Sequence, residues 1–233
     1  MSELRPGHAM IYSREGLRSY AYWKLESFAH TDSVDETAAK VRELLQDTLE
    51  RQLVSDVPVC SLLSGGLDSS ALTALAVNYY NRTGQGRVST FSVDYVNNDK
   101  HFKSHAFQPG ADGPWIKRMV EELNTDHHYI SFDTPELVEA LDNALYSRDL
   151  PGMTDVDSSL YLFCREIKKE ATVAVSGEAA DEIFGGYPWF HREEMLSSGT
   201  FPWSVAPKMR AGLLSPEMNE WIRPLDYLGD RYS

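Results

Sequence analysis

Cysteine is scarce in this sequence. Cys60 and Cys164 are the only two in 233 residues, far apart and in no CxxC pair. A disulfide framework and a cysteine zinc site are both excluded. Each cysteine has apolar neighbours, so both are expected as buried small hydrophobes in a reducing, cytoplasmic setting. Positive charge is also in short supply: 22 Lys and Arg face 35 Asp and Glu, a net charge of −13. That balance offers no basic face for coating nucleic acid. A phosphate ligand is not forbidden, since it needs only a local cluster of donors. No apolar run reaches the length of a membrane helix, and the opening MSELRPGHAM has no apolar signal core. Neither a nucleic-acid nor a membrane partner is expected. Glycine and proline, 15 and 11 residues, are too few for a linker or a collagen-like chain. With 42% apolar and 11% aromatic residues, the chain has ample material for a core. Its length fits one large domain, or one with a partial second.

Residues 7–24 read as a hairpin turning at Ser13-Arg14-Glu15-Gly16. Residues 27–33 read as a linker. Ser33 with Glu36 makes a capping box for a helix from Val34 to about Val54. Val34, Ala38, Val41, Leu44, Leu45, Leu49 and Leu53 recur along it at helical spacing. Val59 to Leu63 is a short buried strand, interrupted by Ser64-Gly65-Gly66, and Asp68 to about Asn81 is helical. Further strands are expected at Arg87–Val93, His127–Phe132 and Thr172–Val175. Helices are expected from Pro114 to Leu123, from Thr134 to about Ser147, and from Ser158 to Lys169. Asn97 to Gly113 reads as one long loop, and the chain after Tyr187 as irregular. Strands alternating with helices imply a mainly parallel α/β sheet with helices on both faces. In such sheets ligands bind at the carboxyl ends of strands. Two of those ends carry glycine-rich, acidic turns.

The first turn is Ser64-Gly65-Gly66-Leu67-Asp68-Ser69-Ser70. Two glycines let the backbone fold tightly enough to aim several N–H groups at one anion. The helix start adds positive potential, and the serine hydroxyls add donors. Asp68 is misplaced in a bare anion site but fits one where magnesium bridges carboxylate and phosphate. No lysine follows the glycines, so this is not the GxxxxGK[ST] loop, and GxGxxG is absent too. A glycine pair alone is equally well an ordinary β–α turn; the full seven residues between strand and helix are not. The second turn runs from Ser176 to Tyr187 and carries Glu178, Asp181 and Glu182. Acids at a helix start are common for capping reasons alone. Facing the first turn in one sheet, they read as a site. Glu178 and Asp181, three apart, share one helix face, so one can serve an amine and the other a metal.

Here the motifs support a resemblance. SGGLDSS resembles the pyrophosphate-binding loop of ATP pyrophosphatase enzymes, whose fold is adenine nucleotide alpha hydrolase-like. Ser176-Gly177-Glu178-Ala179-Ala180-Asp181-Glu182-Ile183-Phe184-Gly185-Gly186-Tyr187 resembles the SGEGxDExFGGY segment of glutamine-dependent asparagine synthetases. Ser55-Asp56-Val57-Pro58-Val59 and Thr90-Phe91-Ser92-Val93 are similar to the same family's flanking segments. The resemblance implies that Leu62 and Val93 hold adenine through backbone contacts. It implies that Ser64, Gly65, Gly66, Ser69 and Ser70 bind pyrophosphate, and that Asp68 and Asp181 hold magnesium. Ser176 and Gly177 would lie against the nucleotide, and Glu178 would be the catalytic carboxylate that helps ammonia lose its proton. The implied reaction is ATP-dependent amidation of aspartate through an acyl-adenylate, releasing AMP and pyrophosphate. The chemistry agrees: a carboxylate is a poor electrophile until activated, magnesium offsets charge on the departing pyrophosphate, and ammonium needs a base.

The resemblance also implies a domain plan. Residues 1–26 look like the last hairpin of a glutaminase domain, 27–190 like the synthetase domain, and 191–233 like the start of its C-terminal part. Met1 is followed by serine rather than the glutaminase cysteine, so this chain is expected to be a truncated piece, inactive by itself. Glutamine would act through that other domain, and a homodimer of the full-length protein is kept among the expectations. The loop Leu150-Pro151-Gly152-Met153-Thr154-Asp155 departs from the threonine- and arginine-bearing pattern that holds aspartate in family members. Two alternatives therefore stay open: another adenylating amidotransferase, β-lactam-forming or sugar-amidating, and a non-catalytic nucleotide-binding module. His101 and His105 have metal-like spacing but lie in a loop, where chance explains them. Asp112 opens its helix, where the resemblance allows a magnesium ligand and capping explains it equally well, and His127 and His128 read as packed or capping residues rather than catalytic ones.

Overall fold

The computed structural model describes residues 4–104, 110–150, 152–204 and 206–232, with only the backbone of Thr154 and Asp155. His105, Pro151 and those two side chains thus lie outside the described residues. The chain divides into two compact units, Met1–Leu44 and Leu45–Ser233.

The first unit holds the expected hairpin. Strands β1 (His8–Ser13) and β2 (Gly16–Ala21) pair antiparallel, with Ser13 opposite Gly16. Gly16 takes φ +110, a conformation closed to residues with a β-carbon. Helix α1 (Val34–Gln52) starts with the capping box foreseen in the sequence. The Ser33 N–H donates to Glu36 Oε2 at 2.8 Å, and the Glu36 N–H donates to Ser33 Oγ at 3.3 Å. The serine bonds hold the Glu36 carboxyl below its ordinary pKa. Of the helically spaced apolar residues, Leu49 and Leu53 are buried, whereas Val34 and Leu44 are exposed.

The second unit is a four-stranded, wholly parallel sheet in the order β5-β4-β3-β6. Its strands are β3 (Val59–Leu62), β4 (Ser89–Tyr95), β5 (Asp126–Phe132) and β6 (Val173–Val175). On one side, α2 (Leu67–Thr83) packs Ala76 and Val77 against Val59, Val88 and Val175, together with Leu49 from the part of α1 that belongs to this unit and Leu53 just past its end. Leu123 of α4 (Gly113–Leu123) joins them. On the other side, Cys60 and Phe91 meet Leu162, Phe163 and Ile167 of α7 (Thr154–Ile167). The sheet is therefore covered on both faces, as expected. Burial of Phe91, 2% exposed, contributes about 1.5–3 kcal/mol.

A polar band runs through the first of these interfaces. Ser61 Oγ and Thr73 Oγ1 lie 2.9 Å apart, and Thr73 donates on to the Ser69 carbonyl at 2.8 Å. His127 bonds Thr90 Oγ1 through Nδ1 at 2.8 Å and Ser92 Oγ through Nε2 at 2.9 Å. Burial, followed by the neighbouring His128, pulls its pKa down to about 4.

Several expectations are corrected. The helix from Thr134 breaks at Ala140 into α5 (Thr134–Glu139) and α6 (Leu141–Arg148); the Ala140 N–H is shared by the Glu136 and Val138 carbonyls. Helix α7 begins at Thr154, earlier than Ser158, because the Met153 carbonyl receives the N–H groups of Val156 and Asp157 at 2.9 and 2.7 Å. Arg148 and Asp157 pair at 2.6 Å over Gly152, where a β-carbon would meet Asp157 Oδ2 at 2.1 Å. The long loop after β4 opens with a single turn, α3 (Asn98–His101). Cys164 is exposed; only Cys60 is buried, its thiol pushed up to about 11 by burial. The chain after Tyr187 is not irregular but forms a 3-10 turn at Pro188–Phe190 and four short helices at Glu193–Leu196, Pro207–Ala211, Pro216–Ile222 and Pro224–Tyr232. Proline opens three of those helices at a position where its missing N–H costs nothing.

Candidate active site

Strand β3 ends in a turn that only glycine can make. Gly65 takes φ +79, and a β-carbon there would sit 3.0 Å from the Asp112 carbonyl and 3.1 Å from Trp115 Cβ. The start of α4 thus presses on the turn. Gly66 is the N-cap of α2, and no side chain satisfies the first N–H groups of that helix. The serines hold the turn's shape. Ser64 Oγ and Ser69 Oγ are 2.9 Å apart, Ser69 donates to the Gly66 carbonyl at 3.2 Å, and the Gly66 N–H donates to Ser64 Oγ at 3.3 Å.

The second turn follows β6. Glu178 N–H donates to Ser176 Oγ at 3.1 Å. Ala179, the N-cap of α8 (Ala180–Phe184), takes φ +71, a left-handed conformation rare outside glycine. Asp181 and Glu182 occupy the first turn of α8. Gly186 folds back on Asp181, where a β-carbon would strike Oδ1 at 2.0 Å. Tyr187 donates to Glu182 Oε1 at 3.0 Å and stacks on Trp189 with ring centres 4.2 Å apart. That bond, aided by nearby acids, raises the Tyr187 pKa.

Both turns open into one cavity of about 650 Å³. Leu62, Ser64, Gly66, Asp68 and Ser69 line it from the first. Ser176, Gly177, Glu178 and Asp181 line it from the second. Gly65 and Ser70 do not: they line a separate cavity of about 380 Å³ with Trp115, Arg118, Met119 and Glu122. Val93 lines neither; it is half-buried and packs against the Phe91–Leu162 core. Among the described residues no three His, Cys, Asp or Glu side chains cluster as a metal site. Asp68 and Asp181 nevertheless share one cavity wall. Magnesium commonly takes one or two carboxylates and completes its shell with phosphate and water, so this donor pair fits a magnesium–phosphate ligand. Asp112 is the N-cap residue of α4, its carbonyl accepting from the Trp115 and Ile116 N–H groups at 2.9 and 3.0 Å, with no cap bond from its side chain. Glu182 lines the cavity too, and so does Tyr187, which the sequence reading quoted in the motif but gave no place in the site.

Residues 40–233 match the family model described as asparagine synthase. The chain belongs to the asparagine synthase family. It is 50% identical over 232 residues to asparagine synthetase [glutamine-hydrolyzing] 3 of Bacillus subtilis (strain 168), covering 100% of this chain and 38% of that one. It is 32% identical over 203 residues to asparagine synthetase B [glutamine-hydrolyzing] of Escherichia coli (strain K12), covering 80% of this chain and 34% of that one. The chain therefore spans little more than a third of these curated relatives. A solved NAD+ synthetase from Burkholderia Pseudomallei aligns with 66% of each chain at a TM-score of 0.38 and 16% identity, a likeness too distant to bear on the site. No helix among the described residues is long and apolar enough to cross a membrane.

Proposed function

We propose that this chain is the ATP-using part of an asparagine synthetase, which activates the side-chain carboxylate of aspartate and passes it to ammonia. The observation that carries this reading is the shared cavity: Asp68, Ser64 and Ser69 from one turn face Glu178 and Asp181 from another. ATP enters with its phosphates against the first turn. The substrate carboxylate attacks the α-phosphorus, the bond to the β-phosphate oxygen breaks, and pyrophosphate leaves. Ammonia then attacks the acyl carbon, loses a proton to Glu178, and expels AMP. Magnesium, held by Asp68 and Asp181, would supply positive charge against the departing pyrophosphate. Ser64, Gly66 and Ser69 donate to its oxygens. Ser176 and Gly177 line the nucleotide's flank, and Leu62 and Val93 offer backbone groups to the adenine.

Residues 1–26 on this reading close a glutaminase domain that supplies ammonia from glutamine. Residues 27–190 form the synthetase domain proper, and 191–233 begin its C-terminal part. The full-length protein works in the cytoplasm as a homodimer. Exchange of labelled pyrophosphate into ATP by the full-length protein tests the reading. Exchange driven by aspartate is expected. Exchange driven instead by another carboxylate would assign the protein to a different adenylating amidotransferase. ATP binding with no exchange for any carboxylate would leave only a nucleotide-binding module.

A further inference from the structure

Two hydroxyls sit where the rest of an interface is apolar. Helix α2 meets the sheet through Ala76 and Val77 against Val59, Val88 and Val175. Ser61 and Thr73 lie among them, 3% and 0% exposed. Alternation along β3 turns Ser61 to the α2 side with Val59, while Cys60 and Leu62 face α7. A buried hydroxyl costs stability unless it is bonded. Both of these are bonded, and the direction is fixed. Thr73 gives its proton to the Ser69 carbonyl at 2.8 Å, so Ser61 must donate to Thr73, 2.9 Å away. Thr90, level with Ser61 in β4, takes no part: its hydroxyl reaches Thr125 and His127.

The relay ends on the residue that organises the phosphate turn. Ser69 Oγ accepts the Ser64 N–H at 3.2 Å, lies 2.9 Å from Ser64 Oγ and donates to the Gly66 carbonyl at 3.2 Å. Gly66 caps α2 without a side-chain bond, so the first N–H groups of the helix are left for a ligand. Where the first turn of α2 stands relative to β3 decides where those donors aim. The relay from Ser61 through Thr73 fixes that relation, with one end in the strand and the other on the Ser69 carbonyl.

Stability alone does not ask for hydroxyls here. Alanine and valine at these two positions would fill nearly the same space and join the surrounding apolar core. Replacing both partners of a buried hydrogen bond by apolar groups of like shape is close to neutral for stability, whereas removing one leaves the other unsatisfied. We propose that Thr73, backed by Ser61, is a positioning residue for pyrophosphate binding: it anchors the Ser69 carbonyl to β3 and so keeps the donors of the SGGLDSS turn aimed at the phosphates. This rests on the ATP-using role proposed above. Neither residue lines the main cavity, so the effect passes through Ser69.

Calorimetric titration of the full-length protein with magnesium pyrophosphate, and separately with AMP, tests the assignment alongside melting temperatures. In the double variant Ser61→Ala/Thr73→Val the melting point is expected to stay close to that of the wild type. Its Kd for magnesium pyrophosphate should rise about tenfold, or about 1.4 kcal/mol, with AMP affinity unchanged. Thr73→Ser, which keeps the hydroxyl, should hold most of the wild-type affinity. Thr83→Val removes the same kind of bond, Thr83 to the Tyr79 carbonyl at 2.8 Å, from the other end of α2 and should change neither affinity. Wild-type pyrophosphate affinity in the double variant would overturn the assignment while leaving the ATP-using role intact. A fall in melting point with an equal loss of both affinities would overturn it as well, reducing the pair to packing. So would a Thr73→Ser protein as weak as the double variant, which would trace the loss to the methyl group. A wild-type protein that binds neither ligand would remove the ATP-using role, and this assignment with it.

Discussion

Gly177 lies so close to Ser69 that a β-carbon on the glycine would stand 2.9 Å from the Ser69 backbone nitrogen. The same β-carbon would be 3.2 Å from both Cβ and the carbonyl carbon of Asp68. The two turns of the site therefore touch backbone to backbone, with no room for a methyl group. Gly177→Ala should force the first turn of α2 to move. We expect a stability loss of about 1–3 kcal/mol and pyrophosphate binding weakened at least tenfold. An unchanged thermal midpoint together with unchanged affinity would show that the contact has slack.

Ala179 makes the opposite prediction. It holds φ +71 where the family segment quoted above has glycine. A left-handed backbone costs a non-glycine residue about 1–2 kcal/mol, while glycine adds about 0.4–1 kcal/mol of unfolded-chain entropy to be lost. Ala179→Gly should therefore stabilise by up to about 1 kcal/mol, raising the melting point by about 2–4 °C. A lower melting point would mean that contacts of the Ala179 methyl outweigh the strain.

Glu178 and Asp68 should separate in kinetics. Glu178→Gln keeps the side chain's size and removes its basicity. In the full-length protein it should slow ammonia-dependent amide formation by about 10²–10⁴-fold while pyrophosphate exchange survives. Asp68→Ala and Asp181→Ala should instead weaken magnesium-dependent nucleotide binding. Asp157→Ala should spare both functions and lower only stability, since it breaks the pair with Arg148. Ammonia-dependent turnover at the wild-type rate in Glu178→Gln would leave that acid as a capping group alone.

His127 predicts a pH dependence of stability. Its folded-state pKa is lowered to about 4 by burial, against about 6.5 in an unfolded chain. Between those values the unfolded chain binds a proton that the native state refuses. Stability is thus fully present above about pH 6.5 and declines as pH falls toward 4. Urea midpoints at pH 7 and pH 5 should differ more for the wild type than for His127→Gln. Equal differences would show that the imidazole takes up its proton in the folded state too.

The parts legible in the sequence are those whose causes are local. The Ser33–Glu36 box, the glycine turn after β3 and the apolar β3 strand each follow from residues within one or two turns. The break at Ala140 was hidden because neither glycine nor proline marks it. The early start of α7 depends on Gly152 admitting the Arg148–Asp157 pair, a contact between residues nine apart. The partition of SGGLDSS between two cavities was equally invisible, because it depends on where α4 lies. Composition suggested two buried cysteines, but α7 turns Cys164 outward.

The place of β6 beside β3 also sets a timetable. Val59 pairs with Val173 and Ser61 with Val175, so a central strand waits for the last strand of its sheet to be made. At ordinary synthesis speeds the wait is on the order of ten seconds. Throughout it, Cys60 and its neighbours present an open, apolar edge of the kind that invites wrong pairing. The wall of the site is incomplete for the same interval, because Gly177 has yet to reach Ser69. Until β6 docks, β3 has only one of its two partner strands, and the cavity has only one of its two turns.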